Sequence, residues 1–301
     1  MNYKKVFKNP RTISAIVNAF GWLPDSVALP IQYRIKMSRH LHLRNPRRWT
    51  EKLQVYKMRY RNPRMAQCVD KYEVRKYVES KGLSDCLVKL YGIWDDPRDV
   101  DFNKLPDSFV FKLTSGGGGL NVDIVGDKSL YDLDSMVSRY IPWVGPRKRK
   151  HSLGREWAYE GISRARVIAE ERLVNSINPQ AGIEDFKILC FNGTPKYIIV
   201  DKDRYVDHKR NFYDTDWERI SVTTDHEQFE TPYPRPANLD RMLEVAETLS
   251  KDFPFVRVDL YNVAGKVYFG ELTFYPWSGY VQFDPDQFDF VLGDLFDTTT
   301  L

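Results

Sequence analysis

A chain of 301 residues, 42% hydrophobic and 29% charged, can bury a substantial core and divide into two or three subdomains, with the ordinary composition of a globular protein. Three cysteines (Cys68, Cys86 and Cys190) without a C-x-x-C pair argue against a disulfide framework and for a reducing compartment. The net charge of +4 is unevenly placed: residues 34–64 hold eleven Lys or Arg and the single acid Glu51, while residues 267–301 hold six acids and no base.

No apolar run near the N-terminus is long enough for a signal peptide or a membrane span, so the cytoplasm is the expected location. Ile13, Ile16, Val17 and Phe20 recur at helical spacing. With Trp22 and Leu23 they suit a core-facing helix or one lying at a membrane interface. Tyr33, Trp49, Tyr56 and Tyr60 interleave with the basic run 34–64. Nucleic acid is its weakest reading and no nucleic-acid partner is expected. A solvated face that pairs with the acidic C-terminus, an anionic acceptor glycan, or the negative inner face of the membrane fits better, the last making the protein peripheral there.

Phe109, Val110 and Phe111 read as a short buried strand with Lys112 at its end, followed by Thr114, Ser115 and the four glycines Gly116, Gly117, Gly118 and Gly119. Glycine lets backbone N–H groups approach an anion, and a lysine beside such a loop neutralises phosphate as a point charge. The spacing is neither the Walker nor the Rossmann pattern, and a flexible turn is the plain alternative. The basic stretch 146–154 reads as a solvated loop or a mobile lid. Residues 167–174 form a strand-like run interrupted by Glu170 and Glu171. Between residues 183 and 200, Asn192-Gly193 marks a hairpin between two hydrophobic strands. Lys187 there falls on the face opposite Phe186, where it needs an anionic partner. Residues 208–216 read as a polar loop in which Arg210 offers a second phosphate contact, and Asn238 reads as the cap of a helix ending near Asp252.

The most informative stretch is 255–274. Period-two alternation puts Phe255, Arg257, Asp259 and Tyr261 on one face of a first strand. The same rule puts Val267, Phe269, Glu271 and Thr273 together on a second. With residues 262–266 as the loop, Arg257 lies opposite Glu271, and Asp259 sits diagonal to it, roughly 7–8 Å away. Two carboxylates so placed can share hard divalent cations that leave positions open for phosphate oxygens. An exposed Arg–Glu ion pair is the plain alternative.

In order, then, the chain offers a Lys with a Gly loop, a Glu-Glu strand, a Lys strand with a hairpin, and R-x-D with a downstream E-x-T. This succession resembles the ATP-grasp superfamily of carboxylate–amine ligases, and within it the TupA-like branch linked to teichuronopeptide and other surface-polysaccharide biosynthesis. Asp70-Lys71 followed by Arg75 resembles that family's D-K-x-x-x-R helix, and residues 269–279 resemble its terminal signature. The resemblance implies an α+β ATP-grasp fold in which two α+β lobes hold ATP between them, preceded by an N-terminal α/β region. The expected division is 1–104 for that region, 105–180 for a lid subdomain with the Gly loop, and 181–301 for a core subdomain with the metal site.

The resemblance also implies roles. Lys112, with Ser115 and the backbone of Gly116, Gly117, Gly118 and Gly119, would hold the phosphates of ATP. Glu170 and Glu171 would hold adenine and ribose, with Lys187 and Arg210 as further nucleotide contacts. Asp259, Glu271 and Thr273 would coordinate magnesium, although relatives carry E-x-N where this chain has Glu271-Leu272-Thr273. Arg257 and Lys112 would be catalytic, stabilising the transferring phosphoryl group. The implied function is an ATP-dependent carboxylate–amine ligase that forms an amide through an acyl phosphate. Its substrates would be a carboxylate, such as a uronic acid or amino acid, and an amine, in the modification of a cell-envelope polysaccharide. A metal-dependent glycosyltransferase is the alternative, because D-x-D occurs at Asp201–Asp203, Asp214–Asp216 and Asp284–Asp286. A non-catalytic binding module on the same scaffold is the other.

Overall fold

A computed structural model describes residues 22–116, 121–147, 154–175, 182–204 and 206–301. The expected helix around Ile13, Ile16, Val17 and Phe20, the glycines Gly117, Gly118 and Gly119, and most of the 146–154 stretch lie outside the described residues. Helices α1 (Asp25–Met37), α2 (Trp49–Arg59), α3 (Pro63–Val69) and α4 (Glu73–Ser80) come first, so the described N-terminal part is helical as far as Ser80. Pro63 opens α3 at a position whose N–H has no helical partner, and Asn62 caps it by accepting from Arg64 N. Asp70 accepts from the backbone of Tyr72 and Glu73 at 2.9 Å, starting α4 in the same way.

Strands β1 (Leu90–Trp94), β2 (Phe109–Leu113) and β3 (Val122–Val125), helix α5 (Leu133–Tyr140), the short β4 (Gly145–Pro146), the single turn α6 (Trp157–Glu160), the short β5 (Arg164–Ala165) and β6 (Val167–Glu171) follow. They give an antiparallel sheet in the order β1-β6-β2-β3, with β4 and β5 paired apart from it. Phe109, Phe111 and Leu113 alternate into a small core with Val167, Ala169 and, from α5, Met136 and Tyr140. That leaves Lys112 on the opposite face of β2.

The second, larger sheet is built from β7 (Asp185–Phe191), β8 (Thr194–Lys202), β9 (Lys209–Asp214), β10 (Arg219–Ile220), then, after helix α7 (Leu239–Ser250), β11 (Phe255–Val263) and β12 (Lys266–Thr273); helix α8 (Gln287–Leu295) follows. Its order is β10-β9-β8-β7-β11-β12, antiparallel throughout. One face, with Ile188, Cys190, Val256, Val258 and Leu260, is apolar and packs on Met242, Val245, Ala246 and Leu249 of α7. The other face is aromatic at one end, where Phe191 and Phe255 meet Trp49 and Phe296, and charged at the other.

Several local expectations change. Residues 209–214, expected in a polar loop, form strand β9, because Phe212 and Tyr213 are core residues. Asn238 precedes α7 but makes no cap; its amide donates instead to Gly265 O at 2.8 Å and Asn262 Oδ1 at 3.2 Å, bracing the β11–β12 hairpin. Asn192-Gly193 does turn the β7–β8 hairpin, both at positive φ. The β11–β12 turn is tighter than expected. Ala264 and Gly265, at φ 52° and 78°, form a two-residue loop, and Val263 pairs with Lys266.

The basic run meets the acidic C-terminal part where α2 crosses α8. Arg39 and Arg48 reach Asp286 at 2.6 and 2.7 Å, and Thr50 bonds Asp289. Lys52 donates to the carbonyls of Gly293 and Phe296 at 2.7 Å. The three cysteines are free and buried. No described helix is long and apolar enough to cross a membrane.

Candidate functional site

Three rungs of the larger sheet assemble the charged face. Thr273, Arg257 and Leu189 pair side by side in the first, Glu271, Asp259 and Lys187 in the second, and Tyr261, Asp185, Asp201 and Arg210 in the third. Directly paired residues share a face, so these side chains converge. The expected register is corrected here: Asp259 itself faces Glu271, and Arg257 faces Thr273.

The two-residue turn shifts the pairing by one, and a bulge at Gly270 shifts it by one more. Gly270 has no partner on β11, so Glu271 and Thr273 lie on the charged face while Val267 and Phe269 turn into the core. The four therefore do not share a face as strict alternation required. A Cβ on Gly270 would stand 3.0 Å from Asp259 O and 3.2 Å from the Tyr261 ring, so the close strand approach needs glycine.

Arg257 is the hub. Its Nε and Nη2 donate to the two oxygens of Asp259 at 2.6 Å each. Nη2 also reaches Thr273 Oγ1 at 3.1 Å and Glu271 Oε1 at 3.3 Å, and the Thr273 hydroxyl donates to Glu271 Oε1 at 3.1 Å. Lys187 finds three carboxylates. It bonds Asp185 and stands 3.4 Å from Asp259 Oδ2 and 3.5 Å from Asp201 Oδ2. Arg210 is buried and its donors are engaged, by Asp201 at 2.6 and 3.1 Å and by Asp225 at 2.6 Å.

Burial pushes the Asp259 carboxyl up, against the opposing pull of Arg257 and Lys187, with Asp185 and Glu271 adding to the rise. For Asp201, burial acts upward too, but the His208 ring 3.3 Å away, hydrogen bonds from Arg210 and the Lys187 charge hold it far below the carboxylate range. Glu271 is likewise held low, the charges of Arg257, Lys71 and Lys187 outweighing its desolvation. One atom stands out: Asp185 Oδ1 is buried and has no hydrogen-bond partner among the described residues.

On the smaller sheet Lys112 Nζ meets Glu170 Oε2 at 2.6 Å, and Arg75 holds the other oxygen at 3.2 Å. Glu170 and Glu171 part company, because neighbours on a strand point to opposite faces. Glu170 sits with Lys112, whereas Glu171 pairs with Phe109 on the core side. Ser115 Oγ is buried and unbonded among the described residues, and Gly116 adopts φ 110°. The expected contacts at Gly117, Gly118 and Gly119 lie outside the described residues.

Lys71, Arg75, Asp185 and Asp201 belong to the constellation although none was singled out as a site residue. Lys71 is held against the segment just past β2: its backbone N donates to Thr114 O at 2.8 Å and its ammonium to Gly116 O. Its amine is lowered by burial, opposed by the Glu271 charge and reinforced by Lys112. The D-K-x-x-x-R spacing was a usable signal for Lys71 and Arg75. So was Asp185, two residues before Lys187 and therefore on the face where a lysine needed an anion.

No group of three or more His, Cys, Asp or Glu side chains among the described residues is placed to hold a metal ion. The pair a hard divalent cation could bridge is Asp259 and Glu271, which face one another across adjacent strands with the Thr273 hydroxyl beside Glu271. Such a cation would have to displace Arg257 from at least one Asp259 oxygen.

A family model for TupA-like ATP-grasp proteins matches residues 51–297. No curated protein matches the chain. Among solved structures, the D-alanine–D-alanine ligase of Bacillus anthracis is 21% identical over 68% of this chain and 56% of that one, with a TM-score of 0.42. The D-alanine–D-alanine ligase of Helicobacter pylori is 14% identical over 76% and 61%, with a TM-score of 0.41. The N5-carboxyaminoimidazole synthetase of Staphylococcus aureus is 13% identical over 69% and 44%, with a TM-score of 0.39. The chain thus spans less than two thirds of the length of each.

Proposed function

The chain belongs to the TupA-like ATP-grasp family, and from that premise we propose that it is an ATP-dependent carboxylate–amine ligase. The observation that carries the reading is the convergence of Arg257, Asp259, Glu271 and Lys187 on one face of the larger sheet. Cations and carboxylates are stored there against each other. Phosphate oxygens can take over the cations and a metal the carboxylates. Lys112 and Glu170 repeat that logic on the smaller sheet.

In this reaction a carboxylate oxygen attacks the γ-phosphorus of ATP and ADP leaves. An amine then attacks the acyl carbon, loses a proton to solvent, and displaces phosphate to leave an amide. Asp259 and Glu271, with Thr273 beside them, would hold magnesium, which when bound would neutralise charge at the phosphates. Arg257 presents a planar fork that binds two oxygens of the transferring phosphoryl group. Lys112, Lys71 and Lys187 add positive charge around the nucleotide, and burial raises the value of each such contact. Such chemistry needs positioning more than a strong base.

The family resemblance supports a uronic acid or amino acid as the carboxylate, an amino acid as the amine donor, and a cell-envelope polysaccharide or its precursor as the product. A cytoplasmic location goes with ATP as the substrate. The division at residues 104 and 180 is part of the same proposal. The glycosyltransferase reading is the alternative, and the acids of its motifs are engaged as Asp259 is. Asp201 is spent on Arg210, Asp214 accepts from the backbone of Asp216 and Glu218, and Asp286 is spent on Arg39 and Arg48. The test is ADP release from ATP and magnesium with a panel of uronic acids and amino acids. UDP release from a sugar nucleotide would select the other reading.

A further inference from the structure

Helix α1 has two apolar faces and buries one. Ala28, Leu29, Tyr33 and Met37 pack inward. Val27, Ile31 and Ile35, at i, i+4 and i+8, form a second stripe that stays 44–50% exposed, and Trp22 just ahead of it is 76% exposed. Helical geometry places Arg34 within that stripe. A contiguous aliphatic face left in water marks a contact surface.

The surroundings of the stripe state the charge of what covers it. Residues 26–50 contain six Lys or Arg and no Asp or Glu. Arg39 and Arg48 are neutralised by α8. Arg34, Arg44 and Arg47 meet no carboxylate among the described residues. The segment after α1 opens on a cavity of about 720 Å³, where Leu41, Leu43 and Phe290 stand beside Arg44 and Arg47. The Glu51 carboxylate at its wall is already spent on His42 and on the backbone of Arg47 and Arg48.

We infer that this surface docks the protein on an anionic lipid bilayer, with the α1 stripe in the acyl–headgroup boundary and the arginines on headgroup phosphates. A polyanionic glycan would satisfy the arginines but offers nothing to Val27, Ile31 and Ile35. A second copy of the chain would bring the same cations against themselves.

The test is co-sedimentation of the full chain with vesicles of phosphatidylcholine alone or mixed with phosphatidylglycerol. Binding is expected only to the mixed vesicles, weakening as salt is raised. Arg34→Ala and Arg44→Ala should each weaken it about fivefold. Ile31→Glu with Ile35→Glu should abolish it at low salt while the melting temperature stays unchanged. Absence of binding to the mixed vesicles would overturn the inference. So would binding to polygalacturonate alone, or a dimer that the Ile31→Glu, Ile35→Glu variant dissociates.

Discussion

Arg257 and Asp259 are locked together by two hydrogen bonds of 2.6 Å, two residues apart on one face of one strand. Asp259 in turn faces Glu271 across the neighbouring strand. On the proposed reading, a cation taken up by these carboxylates would release the guanidinium to turn to phosphate. Arg257→Lys keeps the charge but loses the fork. We expect its turnover to fall by about 10²–10³-fold, as when one transition-state donor is removed, with ATP affinity little changed. Near-normal kcat in steady-state kinetics would reduce Arg257 to a scaffold ion pair.

Gly270 sets the register on which this arrangement depends. Gly270→Ala would press a Cβ on Asp259 O, at 3.0 Å, and should cost about 1–3 kcal/mol of stability. Because the strain falls on the bulge that aims Glu271, magnesium dependence of turnover should weaken as well. Urea unfolding and a magnesium titration of the rate read the two effects; an unperturbed variant would show that the bulge does not need glycine.

Lys187 keeps three buried aspartates together. Lys187→Ala leaves them uncompensated, and the expected loss is about 3–5 kcal/mol. Neutralising the acids should relieve it, so the variant's deficit should shrink as the pH is lowered. A deficit independent of pH in denaturant melts would contradict the charge account.

Lys57 is fully buried, with its amine on Ser278 O at 2.7 Å and Ser278 Oγ at 2.9 Å. Burial pulls it down to about 7 from its ordinary 10.5, with the Glu156 charge opposing the fall. Between those two values the unfolded chain holds a proton that the folded chain has released, so stability rises with pH there; below about 7 both states are protonated and the contribution is flat. From pH 7 to 9 wild type should gain up to about 2–3 kcal/mol relative to Lys57→Met. Equal slopes for the two proteins would show that Lys57 stays charged in the fold.

Much of the site was legible because alternation alone puts Arg257 with Asp259, and Lys187 opposite Phe186. The apolar pattern likewise marked the strands around Asn192-Gly193. The register of the last hairpin was not legible. A two-residue turn at Ala264-Gly265 and a bulge at Gly270 each shift the pairing, and a run of strand-forming residues does not say where the extra residue sits. Arg210 was misplaced in a loop because its charged neighbours concealed a strand whose core residues are Phe212 and Tyr213. Lys71 went unassigned because its partners, Thr114 and Gly116, lie far along the chain, a long-range fact that local pattern does not carry.

The most direct test of the central claim is product analysis on wild type alongside Asp259→Asn and Glu271→Gln, with ATP, magnesium and matched panels of carboxylates and amines. The account predicts that wild type releases ADP and phosphate in step with amide formation, and that each variant loses this magnesium-dependent turnover while staying folded. Undiminished turnover in either variant, or no ADP from wild type with any pairing while a sugar nucleotide is consumed, would contradict it.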